Sequence, residues 1–133
     1  MIAIDTNVLV RYLTADDPDQ LARAKGLFAT LSADSPGFIC REALLELVWV
    51  LGHSYGFGRG EISDTLDALL SAIEFEIEDA DVLSTAIDPY LNANADFADL
   101  MIRGAAKKRG ALPLMTFDVR AARLEGVELV AVR

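Results

Sequence analysis

Five carboxylates sit where carboxylate chemistry is available. Asp5 follows the short apolar run Ile2-Ala3-Ile4, and the chain then passes at once into the helical pattern Asn7-Val8-Leu9-Val10-Arg11-Tyr12-Leu13. A strand that ends in a carboxylate and turns directly into a helix places it on the rim of a parallel sheet, where open α/β folds build their sites. Asp118, in Thr116-Phe117-Asp118, again follows a strand-like run, and Asp96 and Asp99 are three apart, on one helix face. Glu46 lies in Ala43-Leu44-Leu45-Glu46-Leu47-Val48-Trp49-Val50-Leu51, where its neighbours favour burial. An unpaired buried carboxylate is costly, so Glu46 should meet a cation or strong donors. Glu42, one turn earlier, is accounted for by the helix dipole. The working expectation is that Glu46, Asp99 and Asp118 converge on Asp5. Four oxygen donors without a His or Cys cluster suit Mg²⁺ or Mn²⁺ rather than zinc.

Each acid except Glu46 also has a simple structural explanation. Asp5 and Asp118 are good helix N-caps. Asp96 and Asp99 resemble a capping box, and Arg103, one turn on, can pair with Asp99. What favours chemistry is their recurrence at strand-to-helix junctions.

The elements that must position these residues alternate. Strands are predicted over residues 2–4, 38–40, 75–77, 112–116 and 128–132, and helices from residue 7 and over 18–31, 41–53, 61–73, 79–87, 96–110 and 118–124. Pro18 suits a first helical turn, and Pro89 is expected to stop the helix before it. The helix over 41–53 is apolar nearly all round and is expected to be buried. The segment 54–60 is Gly-rich but lacks the Gly-Lys-Ser/Thr of a phosphate-binding loop. Such alternation implies a mostly parallel sheet covered by helices on both faces, in a single domain over 1–133.

With 133 residues and 53% hydrophobic content, the chain has material for one sizeable core. No apolar run reaches the roughly 18–20 residues of a membrane span, and no leader is apparent before Met1-Ile2. The one cysteine, Cys40, excludes a disulfide framework and reads as a small buried hydrophobe, so a reducing cytoplasm is expected. A net charge of −9 argues against a generic nucleic-acid binder. Its distribution is uneven. No Lys or Arg lies between Arg59 and Arg103, whereas Arg103, Lys107, Lys108, Arg109, Arg120 and Arg123 are half of all the basic residues. They, with Arg11, are the candidates for holding a polyanion.

In these motifs the sequence resembles PIN-domain ribonucleases, and more closely the VapC-type toxins of toxin–antitoxin pairs. The resemblance rests on Ile4-Asp5-Thr6-Asn7-Val8-Leu9, Leu45-Glu46-Leu47-Val48-Trp49, Asp96-Phe97-Ala98-Asp99-Leu100-Met101-Ile102 and Thr116-Phe117-Asp118, in that order along essentially the whole chain. It implies a three-layer α/β/α domain with a central, mostly parallel sheet of five strands. It also implies Mg²⁺- or Mn²⁺-dependent endonucleolytic cleavage of RNA. It carries metal-binding and catalytic roles onto Asp5, Glu46, Asp99 and Asp118, with Asp96, Thr6, Asn7 and Thr116 in support. It further implies a homodimer inhibited by a cognate VapB-type antitoxin, whose C-terminal segment wraps the toxin. Leu9, Val10, Leu13 and the stripe Ile62-Leu66-Leu69-Leu70-Ile73 are candidate anchors for such a segment, whose Arg would reach the acids.

Other classes fit less well. A receiver-type phosphoacceptor needs an acidic pair beside the first strand and a late lysine, and a haloacid-dehalogenase-type phosphatase needs Asp where Asn7 stands. A catalytically inactive PIN-like binding module is the remaining alternative.

Overall fold

The apolar runs between turns are short, and so are the strands they form. The computed structural model describes residues 1–131, whose packing groups into two compact units, residues 1–80 and residues 81–131.

In the first unit, strands β1 (Ile2–Ala3), β2 (Gly37–Ile39) and β3 (Phe75–Ile77) form a parallel sheet in the order β1-β2-β3. Ile2 aligns with Gly37, and Gly37 with Phe75. A side chain at Gly37 would place its Cβ 2.8 Å from Ile4 Cγ1 and 3.0 Å from Leu31 Cδ1, so the middle strand closes on its neighbours only with glycine there. The strands are linked by helices α1 (Thr6–Thr14), α2 (Pro18–Phe28), α3 (Arg41–Tyr55) and α4 (Arg59–Ser71). Pro18 opens α2, with Asp17 capping it through the Gln20 N–H. Glu61 accepts from the Gly58 N–H at the start of α4, one half of a capping box.

Helix α3 is not buried all round. Ala43, Leu44, Leu47, Val48 and Leu51 make a buried stripe at helical spacing, and Glu42, Glu46, Trp49 and His53 make an exposed one. The argument that Glu46 is a buried carboxylate therefore fails. Five interior positions already satisfy this helix, and Glu46 falls on the exposed face. The residues predicted to anchor a partner segment are mostly core, the other role open to them. Leu9, Val10, Ile62, Leu66 and Leu69 are core, while Ile73 lies beyond the end of α4 and is 74% exposed.

In the second unit, α5 (Ala80–Asn92) and α6 (Phe97–Lys108) precede strand β4 (Leu114–Thr116), a 3₁₀ turn at Ala121–Arg123 and strand β5 (Val127–Leu129). Strands β4 and β5 are parallel, with Leu114 opposite Val127. Helix α5 runs through Pro89 instead of stopping before it. The proline lacks one N–H, but its carbonyl accepts from Ala93 at 3.0 Å, and buried Tyr90 anchors that turn edge-on to Phe97. The helix predicted over 118–124 shrinks to the 3₁₀ turn. The last strand ends at Leu129, and Val132 lies outside the described residues.

The fold is α/β, as expected, and every strand pair is parallel. The five strands hydrogen-bond as sets of three and two instead of one sheet. No helix among the described residues is long and apolar enough to cross a membrane.

Gly104 allows α5 and α6 to approach closely, since a Cβ there would collide with Val82 Cγ1. Alanine would gain about 1 kcal/mol of helix propensity, but overpacking costs about 1–3 kcal/mol, and Val82 is stiff at χ1. Gly104→Ala is expected to lower the urea midpoint, and adding Val82→Ala to recover part of the loss. A Gly104→Ala protein more stable than the parent would show that the helices can move apart freely.

Candidate functional site

The acids are placed by helix starts and strand ends. At the end of the first strand, Asp5 is the exposed N-cap of α1, its Oδ1 accepting from the Thr6 N–H at 2.8 Å. Thr6 is buried, and its hydroxyl donates to the Ala43 carbonyl at 3.2 Å. That bond ties the start of α1 to α3 three residues before Glu46. Asn7 is exposed beside it. The Glu46 carboxylate makes no hydrogen bond or ion pair among the described residues. Three residues on, Trp49 stacks on His53 with ring centroids 4.5 Å apart and planes 13° apart.

Residues 81–131 bring three acids into mutual influence. Asp96 caps α6, accepting from the Asp99 N–H at 3.1 Å, which is the structural role the sequence allows it. Asp118 caps the 3₁₀ turn, its Oδ1 accepting from the N–H groups of Arg120 at 2.8 Å and Ala121 at 3.2 Å. Thr116 Oγ1 in turn accepts from the Asp118 N–H at 3.0 Å. Asp99 is half-buried with no partner for its carboxylate among the described residues, and Arg103 bonds elsewhere. Partial burial first, then the charges of Asp96 and Asp118, push the Asp99 carboxyl above the usual Asp range. Clustered carboxylate oxygens are a hard donor set, the chemistry that divalent cations match. As placed, however, no three His, Cys, Asp or Glu side chains among the described residues stand close enough to hold a metal ion.

The basic candidates divide. Arg11 is committed locally: Nη1 bonds both Asp16 oxygens at 3.0 and 3.2 Å and Tyr55 Oη at 3.2 Å, and Nε bonds Gln20 Oε1 at 2.7 Å. Tyr55 also donates to Asp16 at 2.8 Å, and these bonds hold the Asp16 carboxyl below its usual range. Arg103 donates to the Glu125 carbonyl at 3.1 Å, and Lys108 pairs with Asp81 at 3.1 Å. Lys107, Arg109, Arg120 and Arg123 are exposed. Sequence reasoning passed over Arg23 and Gln20, which line a cleft with Asn7. Their helical spacing from Ala24 and Leu27 was the available signal.

A family model described as PIN domain matches residues 2–127, and so covers nearly the whole chain. The chain belongs to the PIN domain family. A relative named VapC ribonuclease, from Aquifex aeolicus (strain VF5), is 27% identical to this PIN domain over 125 residues. The alignment covers 93% of this chain and 92% of that protein. No solved structure matches this PIN domain with comparable strength.

Proposed function

We propose that this PIN domain is a Mg²⁺- or Mn²⁺-dependent endoribonuclease, the toxin of a type II toxin–antitoxin pair acting in the cytoplasm. The observation that carries the reading is the Asp96–Asp99–Asp118 group, in which repulsion and burial raise the proton affinity of a carboxyl that has no local partner. The family match and the VapC ribonuclease relative support it.

Asp5, Glu46, Asp99 and Asp118 are the proposed metal ligands and catalytic acids. A divalent ion held there would polarise the scissile phosphate and activate water. The remaining roles fall to the chain itself. Asp96 fixes the first turn of α6, so that Asp99 is presented from a capped helix. Thr116 fixes the turn that carries Asp118, and Thr6 holds the start of α1 against α3. The cationic side chains of Lys107, Arg109, Arg120 and Arg123 are available to phosphate, whereas Arg11 acts through its fixed neighbours. We infer an antitoxin of the VapB type as partner, and a homodimer as the working form. A cleft of about 370 Å³ supports the first, since the predicted anchors Leu9, Leu13 and Leu69 line it together with Tyr12, Phe28 and Phe75.

One observation favours the alternative of an inactive PIN-like module, namely that no three acids among the described residues are placed at coordinating distance. Total RNA incubated with Mg²⁺ decides between them. The wild type is expected to cleave and Asp5→Asn not to, with Asp5→Asn as well folded as the parent. Equal activity in the two would remove the carboxylate mechanism, and no activity in either would favour the inactive module.

A further inference from the structure

Residues 1–80 carry fourteen Asp and Glu against five Lys and Arg, so a polyanion should find most of this unit repellent. One place differs. Helices α1 and α2 enclose a cleft of about 520 Å³ lined by Asn7, Val8, Arg11, Gln20, Arg23, Ala24 and Leu27, two arginines and no acid. Asn7, in its lining, is two residues after Asp5. We propose that this cleft seats a backbone phosphate of the RNA next to the scissile one, with Arg23 as the residue that contacts it. The assignment rests on the ribonuclease reading above.

The polar groups in the cleft are prepared for different tasks. Asp16 largely neutralises Arg11, and hydrogen bonds to Asp16 raise the guanidinium pKa further above its usual value. Arg11 is thus a fixed strut. It holds Gln20 by Oε1, which leaves the Gln20 side-chain N–H₂ as an uncommitted donor among the described residues. Arg23 has one ion partner among the described residues, Asp19, at 3.6 Å, and both side chains are more than three-quarters exposed. Such a pair contributes little and can be exchanged for phosphate, which a guanidinium grips through two N–H groups. An acidic peptide would need the same cation, but the ribonuclease reading above makes RNA the expected polyanion.

The test measures binding of a labelled mixed-sequence single-stranded RNA 12-mer to the cleavage-deficient Asp5→Asn protein across a salt series. Adding Arg23→Ala is expected to weaken binding roughly three- to tenfold and to reduce the log–log salt slope by about 0.7, the loss of one phosphate contact. Arg23→Lys should keep most of both. Lys25→Ala, on the same helix but outside the cleft, should change neither. In otherwise wild-type enzyme, Arg23→Ala should raise KM with little change in kcat.

The cleft assignment alone falls if the wild type cleaves RNA while Arg23→Ala matches Lys25→Ala in affinity and slope. It also falls if polyglutamate displaces the RNA and that displacement depends on Arg23, because the cleft then takes acidic peptide. If the Asp5→Asn protein binds no RNA and the wild type cleaves none, the ribonuclease reading falls with it.

Discussion

Asp99→Asn is expected to give a protein that unfolds at a higher temperature and no longer cleaves RNA. The two changes share one cause. Asp99 is half-buried, partnerless and repelled by Asp96 and Asp118, so its proton is held more tightly in the folded chain than in the unfolded one. A raised carboxyl pKa means that the folded state gains from this group at low pH. That gain is lost as pH rises through the raised value, and at neutral pH the ionised group opposes folding. Asparagine keeps the shape and removes the charge. Thermal unfolding in EDTA should therefore show Asp99→Asn a few degrees above wild type near neutral pH, with the difference shrinking in acid and in high salt. In activity the sign reverses. A residue that only supports a metal ligand costs about 10–100-fold in metal affinity or activity when removed, and losing a ligand should cost more. A variant both less stable and fully active would contradict both roles at once.

Glu46→Gln should abolish cleavage and Mn²⁺ binding, whereas Glu42→Gln should keep most of both. Both residues are on the exposed face of α3, one turn apart, and neither carboxylate has a hydrogen-bond or ion partner to lose among the described residues. Their folding stabilities should thus stay within about 0.5 kcal/mol of wild type, as for most surface substitutions. Glu42 lies in the first turn of α3, where a negative charge interacts favourably with the helix dipole. Glu46 lies deeper in the helix, where the dipole offers little. Calorimetric titration with Mn²⁺ on the two variants separates the roles. Equal loss in both would mean that the acidic stripe as a whole, rather than Glu46, serves the metal.

The legible parts of this chain are those where a local rule and the packing agree. Asp5, Asp96 and Asp118 read as caps from sequence, and all three accept backbone N–H groups at element starts. The leucines of α3 read as interior and are interior. Parallel strands followed from alternation, although their division into three and two depends on ladder bonds between short runs, which composition does not carry. Glu46 was misplaced because apolar density was taken for burial. In fact Leu47 and Val48 satisfy the core while Glu46 and Trp49 turn outward. Pro89 was misread because the buried contact of Tyr90 with Phe97 is non-local. Arg11 read as a candidate for substrate, but Tyr55, forty-four residues away, completes a local clamp around it. Raised proton affinity at Asp99 is not legible in sequence either, since it depends first on burial and then on the charges of Asp96 and of Asp118, beyond α6.

The most direct test is a time course of total RNA with wild-type protein stripped by EDTA, dialysed and then supplied with Mg²⁺ or left without. Discrete fragments should appear only after Mg²⁺ is restored. Cleavage that proceeds unchanged in EDTA would contradict the account.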